Sequence, residues 1–287
     1  MSNAVKTAVL LGALTGLFAG LGYLIFGGLS GLLFFLILAG VMNFIAYWFS
    51  DKLALRMAGA REVTPQEEPH LHALVAEVAE LAGVPKPKVY IVETETPNAF
   101  ATGRNPQHAV VAVTTGIRRI LTERELRAVI GHEIGHVKNR DILTSSIAAT
   151  IAGAISYIQT VLFWGAMFGG RDREGGNPLI ALFAAMIGAL VAGIIQMAIS
   201  RTREYAADQS GAEYTRDPEA LASALAKLHN GVQMRPMEQT PGTEATAPLY
   251  IVHPFRMGEG LSNLFSTHPP VEERIKRLRR LAGYVVE

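Results

Sequence analysis

The chain has 287 residues, of which 49% are hydrophobic and 18% charged, with a formal net charge of +1 and no cysteine. That balance is too apolar for an ordinary soluble enzyme and has no basic excess for nucleic acid. Disulfides and thiolate metal sites are excluded, so any metal ligand must be His, Asp or Glu.

No charged residue occurs over 7–50. That stretch holds two membrane spans of about 20 residues each. Gly27, Gly28, Leu29, Ser30 and Gly31 form the natural turn between them. Tyr47 and Trp48 lie near the end of the second span, where an aromatic belt belongs. A cleaved signal peptide would have a shorter apolar region and no second one directly behind it, so an uncleaved anchor is expected.

The polar segment 51–141 follows. Apolar residues at Leu71, Leu74, Val75, Val78 and Leu81, with acids between, predict an amphipathic helix over 66–82, ended by Gly83 and Pro85. His70 and His72 in its first turns have no carboxylate at a useful spacing and are expected to be structural or exposed. Residues 88–92 and 108–114 read as two strands, expected to pair as a small antiparallel hairpin, with Asn98, Ala99, Phe100 and Ala101 along one border. Thr122 and Glu125 have capping-box spacing and open the next helix.

That helix carries His132-Glu133-Ile134-Gly135-His136, an H-E-x-x-H pattern. On a helix the two histidines stand one turn apart on one face, close enough to share a metal ion. Glu133 is placed to hold a water and take its proton. The structural alternative is a pair of surface histidines on a charged helix.

Two more uncharged runs follow, over 142–170 and 175–200, divided by Arg171-Asp172-Arg173-Glu174. Each is long enough to span, and the pair reads as a second hairpin. A buried helical hairpin of a soluble fold is the alternative, but such helices would be unusually long there. Segment 51–141 carries 12 Lys and Arg and segment 201–287 carries 11, against none in the 27–31 turn. The positive-inside rule therefore puts both polar segments and both termini in the cytoplasm. This divides the chain into a transmembrane hairpin (1–50), a cytoplasmic part (51–141), a second hairpin that spans or associates with the membrane (142–200), and a cytoplasmic part (201–287).

In the last part, Asp217 and Pro218 start a helix running to about Asn230 and Gly231. Residues 233–266 show no periodicity and read as a long loop. Residues 271–281 form a basic helix whose Arg274, Lys276, Arg277, Arg279 and Arg280 are most simply a solvated face.

A catalytic zinc takes three protein ligands and leaves one position open. The second hairpin starts just after His136 and returns just before Glu204, so its two ends lie together and Glu204 is the natural third ligand. Asp208, one turn further on, is placed to accept the second ring N–H of a histidine ligand. The alternative is that both acids only pair with Arg201 and Arg203.

The H-E-x-x-H segment joined to Glu204-Tyr205-Ala206-Ala207-Asp208 resembles the membrane zinc proteases that include HtpX and the CAAX prenyl endoprotease. The likeness covers nearly the whole chain. It implies a mainly α membrane protein: four transmembrane helices in two hairpins plus a cytoplasmic zincin-like α+β metalloprotease domain. It implies one Zn2+ per chain, bound by His132, His136 and Glu204, with Glu133 as general base and Asp208 orienting a histidine. Asn98, Ala99, Phe100 and Ala101 resemble the substrate-binding edge of that family. His268 and Arg274, in His-Pro-Pro-x-x-x-Arg, resemble its late His and Arg near the site, and His268 is a candidate oxyanion donor. The implied function is a zinc endopeptidase of the bacterial inner membrane acting on misfolded or damaged membrane proteins during stress. The alternatives are a noncatalytic metal-containing scaffold or chaperone and a prenyl-protein processing protease. An intact Glu133 argues against the scaffold. The charged surroundings of the motif argue against a site deep in the bilayer.

Overall fold

The computed structural model describes residues 3–26, 28–153, 201–256 and 269–283. Helices α1 (Asn3–Phe26) and α2 (Gly28–Met57) are the first hairpin. The Asn43 side chain of α2 donates to the Leu11 carbonyl at 3.3 Å and to the Thr15 hydroxyl at 2.8 Å. Phe18 meets Phe35 at 6.2 Å between ring centroids, so the two helices run antiparallel. Among the described residues one helical stretch, Leu29–Met57, is long and apolar enough to cross a membrane, and Val5–Gly16 and Ile142–Gly153 are shorter apolar pieces. Leu33, Phe34, Ile37, Phe44 and Trp48 are all exposed on α2, as a lipid-facing surface requires.

The chain does not break at residue 50. Helix α2 continues to Met57, because Ala54, Leu55 and Ala58 keep an apolar face that packs with Phe100, Ala112 and Tyr250 against the sheet. The first hairpin is therefore continuous with the sheet-bearing part.

Four strands follow: β1 (Ala60–Glu62), β2 (Lys88–Val92), β3 (Ala99–Gly103) and β4 (Ala109–Thr114), in the order β1-β2-β4-β3. The expected antiparallel hairpin of residues 88–92 with 108–114 is corrected. Strands β2 and β4 pair parallel, with Val89 opposite Val111 and Ile91 opposite Val113. Strand β3 pairs antiparallel on the far side of β4. The physical reason is burial. Strand β4 is covered on both faces and flanked on both edges, which suits a continuous apolar run rather than an alternating one. Strand β3, which takes in Ala99, Phe100 and Ala101 of the expected border, supplies its second neighbour.

Helices α3 (Pro69–Ala82) and α5 (Glu123–Lys138) cover one face of the sheet, and the short α4 (Thr115–Ile120) connects β4 to α5. Leu71, Leu74 and Val78 of α3 meet Ile130 and Ile134 of α5 in the main core. Gly83 closes α3 in the left-handed conformation at φ 68°, where glycine avoids the Cβ penalty. His72 bonds the Val63 carbonyl at 2.9 Å, and His70 lies 3.2 Å from Glu123 across the surface, a tertiary pairing that sequence spacing does not reveal.

Helix α6 (Ile142–Gly153) begins the run expected as a second hairpin. Its Ile147 and Ile151 pack against Leu10 and Leu14 of α1 and Ala46 of α2, and the Thr7 and Thr144 hydroxyls meet at 3.1 Å. The rest of the expected third span and all of the fourth lie outside the described residues. Helices α7 (Arg201–Thr215) and α8 (Pro218–Met234) follow, with Asp217 capping α8 through the Ala220 N–H. The expected loop over 233–266 is corrected in its first half. It holds α9 (Pro241–Thr246), a turn of 3-10 helix (Ala247–Leu249) and the buried Tyr250, Ile251 and Val252. Helix α10 (Val271–Leu281) completes the described fold.

Candidate metal centre

Helix α5 is set by its cap and its two faces. The Thr122 hydroxyl accepts from the Glu125 N–H, and the Glu125 carboxylate accepts from the Thr122 N–H at 2.8 Å, completing the capping box. Glu125 also binds Lys227 and Ser223 of α8, at 2.7 Å each. Val129, Ile130, Ile134 and Val137 face the core. This leaves His132, Glu133 and His136 to look toward α7 and β3.

The approach of α7 depends on glycine. A Cβ at Gly131 would stand 3.1 Å from the Gly211 carbonyl, and one at Gly135 would stand 3.2 Å from the Ala207 carbonyl. A Cβ at Gly211 would stand 2.6 Å from the His132 nitrogen. Only bare backbone allows this crossing, and it brings Glu204 to the histidines.

His136 Nε2 lies 3.4 Å from Glu204 Oε1 and His132 Nε2 lies 3.8 Å from Glu204 Oε2. One ligand atom from each residue falls within 4.8 Å of the others. The two rings stand perpendicular, with centroids 4.8 Å apart. Two buried atoms there have no hydrogen-bond partner, His132 Nε2 and Glu133 Oε1. Buried polar atoms normally find partners, so this convergence fits a metal ion. Two imidazoles and a carboxylate suit zinc by ligand type.

The Nδ1 atoms point away from this centre. His132 Nδ1 lies 2.9 Å from Asp208 Oδ1. Asp208 is gripped by Arg274, whose Nε and NH2 donate at 2.8 and 2.7 Å. The remaining Arg274 nitrogen donates to the Ile251 carbonyl at 2.8 Å and lies 3.6 Å from Glu204. Arg274 is fully buried, which corrects its expected place on a solvated face and puts it beside the centre, where the family resemblance had placed it. On the other side, His136 Nδ1 lies 3.2 Å from Asp141 Oδ2.

Burial pushes His132 down to about 4 against the pull of Asp208. Burial also lowers His136, but Asp141, Glu204 and Glu133 overcome it and raise that imidazole to about 10. Burial pushes Glu133 up to about 8, with Glu204 adding to the rise and His136 and Arg274 opposing it. The carboxylates around His136 favour positive charge at that imidazole, and a metal cation can take the place of its proton.

Strand β3 borders the centre. Asn98 lends its carbonyl to Thr114 of β4, so the alternate groups of Ala99 and Ala101 face outward. The Ala99 carbonyl accepts from the Ile251 N–H at 3.0 Å, and the Asn98 side chain is bonded to the main chain of Val252. Phe100 stacks edge-on against Tyr250 at 5.0 Å. The Ala101 N–H faces the Glu133 carboxylate. Of the four expected substrate-edge residues, Ala101 therefore borders the centre, while Asn98, Ala99 and Phe100 hold the 250–252 segment. His268 lies outside the described residues.

Sequence reasoning missed Asp141, Arg203 and the crossing glycines. Asp141 is five residues after His136, beyond the helix end, so no helical spacing singles it out. The glycines were visible as Gly131, Gly135 and Gly211, but only the crossing gives them meaning.

The profile of peptidase family M48 matches residues 65–282. The chain is 53% identical over 283 residues to a "Protease HtpX homolog" of Persephonella marina, covering 98% of each chain. It is 50% identical over 280 residues to a protein of the same name from Pyrococcus furiosus, covering 97% of this chain and 96% of that one. Its fold is similar to the crystal structure of S. mikatae Ste24p, with a TM-score of 0.50 at 17% identity over 96% of this chain. This chain spans 65% of that protein's length.

Proposed function

Because the chain belongs to peptidase family M48, a premise that makes it a membrane metalloprotease, we propose that His132, His136 and Glu204 hold a catalytic zinc and that Glu133 is the general base. The observation that carries this reading is the gathering of one ligand atom each from His132, His136 and Glu204 within 4.8 Å, beside the unpartnered His132 Nε2 and Glu133 Oε1.

When bound, zinc supplies Lewis acidity to the peptide carbonyl and to water. Glu133 takes the proton from the attacking water and returns it to the leaving amine. Burial raises that carboxyl above its ordinary value, which favours its taking up a proton. Asp208 keeps the His132 Nδ1 proton in place, which leaves Nε2 free to ligate. Arg274 compensates the buried Asp208 charge and so acts through it, as a positioning residue. His268 remains the candidate for an oxyanion donor.

Substrate proteins lie extended past Ala101, recognised mainly through the main chain. That mode reads little side-chain identity and suits misfolded or damaged membrane proteins as substrates. The two hairpins, with four spans, hold the centre at the cytoplasmic face of the bacterial inner membrane. The exposed apolar face of α2 and the Lys and Arg excess of 51–141 and 201–287 support this placement.

The test uses the full chain in detergent, stripped with chelator and resupplied with zinc, cleaving casein. Glu133→Gln is expected to lower turnover by about 10²–10⁴-fold. Unchanged turnover in that variant refutes the assignment.

A further inference from the structure

Each histidine of the centre has its own carboxylate behind it, and each carboxylate has its own arginine. His132 is backed by Asp208 and Arg274. His136 is backed by Asp141 at 3.2 Å, and Asp141 Oδ1 lies 3.3 Å from Arg203 NH1. We propose that Asp141 and Arg203 form a second positioning relay, which aims both His136 and Glu204 and ties them to the first turn of the second membrane hairpin.

The local backbone is built for this contact. Helix α5 ends with Arg140 in the left-handed conformation at φ 58°. The Arg140 N–H donates to the Val137 carbonyl at 3.2 Å and the Asp141 N–H donates to the His136 carbonyl at 3.0 Å. These are the two bonds of a Schellman motif, and they fold Asp141 back over His136. A side-chain-bearing residue in that conformation is uncommon. Asp141 also starts α6, where its carbonyl accepts from the Ser145 N–H at 3.2 Å. It is 4% exposed, so its charge needs compensation, which Arg203 supplies.

Arg203 precedes Glu204 on α7. Neighbouring residues on a helix point about 100° apart. Anchoring Arg203 on Asp141 therefore sets the rotation of α7 that turns Glu204 toward His132 and His136. Lys6 of α1 lies within electrostatic reach of both Asp141 and Arg203, and Thr7 bonds Thr144 one turn into α6. The relay sits where α1, α5, α6 and α7 meet. His136 needs its proton on Nδ1 to offer Nε2 to a metal, and a carboxylate acceptor both fixes that tautomer and makes the ligand more basic.

This inference rests on the metal-centre reading, and the experiment separates the two. The full chain in detergent is stripped of metal. Zinc affinity is measured by competition with a chromophoric chelator, and the ligand field by the visible spectrum of the Co2+ form. Asp141→Ala is expected to weaken zinc binding by about 10–100-fold and to alter the Co2+ bands. Arg203→Met is expected to weaken it several-fold, and Arg203→Lys to recover most of the loss. The double variant is expected to bind no more weakly than Asp141→Ala alone, because Arg203 acts through Asp141. Asp217→Asn, which removes a capping acid paired with Arg124 away from the centre, is expected to match wild type.

Asp141→Ala with wild-type affinity and an unchanged Co2+ spectrum overturns the relay, as do losses that simply add in the double variant. If Asp141→Ala fails to fold, Arg203→Met decides, and wild-type affinity and bands in that variant overturn the relay. Failure of the wild type to bind Co2+, or undiminished binding by His136→Ala, instead overturns the metal-centre reading and the relay with it.

Discussion

The approach of α7 to α5 is where a small perturbation should have the largest effect on the centre. Gly211→Ala adds one methyl group, which would stand 2.6 Å from the His132 nitrogen, 2.9 Å from the Gly131 carbonyl carbon and 3.0 Å from the His132 Cα. All three are backbone atoms and cannot swing aside. Ordinary contact begins at 3.4 Å, so the helices must separate by 3.4 − 2.6 = 0.8 Å. Metal–ligand distances tolerate only about 0.2 Å, and Glu204 sits two turns away on the helix that must retreat. Overpacking of this kind costs about 1–3 kcal/mol of stability. Misplacement near 1 Å at a reacting centre costs about 10²-fold in rate. The assay pairs chelator competition for zinc with casein turnover and thermal unfolding in the same detergent. Gly12→Ala, where nothing lies within 4 Å, is the control. Gly211→Ala with wild-type zinc affinity and turnover would show that the glycine crossing does not set the ligand geometry.

Three further outcomes follow from the same structure. Burial raises Glu125, but Lys227, Ser223 and Thr122 overcome it and hold its carboxyl down at about 2. A depressed carboxylate contributes stability that is full above its unfolded pKa and lost as pH falls from about 4.5 toward 2, here about 2–3 kcal/mol. Glu125→Gln should therefore be less stable than wild type at pH 7, with the gap closing as unfolding is followed down through that window; a constant gap contradicts the assignment. Arg216 is exposed and holds φ 53° between α7 and α8, so Arg216→Gly should raise stability by up to about 1 kcal/mol, read as a higher midpoint of thermal unfolding. Arg274→Met strips the buried Asp208 of its guanidinium and should cost about 3–5 kcal/mol. Arg274→Lys restores the charge without the two-pronged grip and should recover only part of it by denaturant titration; full recovery by lysine would mean the geometry of the fork is irrelevant.

Much of the centre was legible in the sequence because its chemistry is local. His132, Glu133 and His136 share one helix, and helical periodicity alone puts the histidines on one face. Glu204 and Asp208 share another, and the hairpin between the two helices implied that their ends meet. One uncharged run with a glycine-rich turn in its middle was enough to identify the first hairpin. The capping box at Thr122 and Glu125 was equally readable, since both of its bonds lie within one turn.

What only the tertiary structure decided involves partners far apart in the chain. Strand pairing was one case: 88–92 and 109–114 join parallel, and the choice depends on what covers each edge, which alternation does not encode. The 250–252 segment was another. Nothing near it in sequence predicts bonds to Asn98 and Ala99, so it read as loop until its burial was seen. By spacing Arg274 looked like one of five basic residues on a solvated face, and only the family resemblance put it near the site; one helix turn separates its fully buried guanidinium from exposed ones. Asp141 lay past a helix end, where periodicity stops and a left-handed residue redirects the chain. The sequence by itself determined which groups can do the chemistry, because identity and short-range spacing suffice for that. The tertiary structure decided how those groups are held, because glycine crossings, buried ion pairs and edge contacts depend on distances between segments that chain order leaves open.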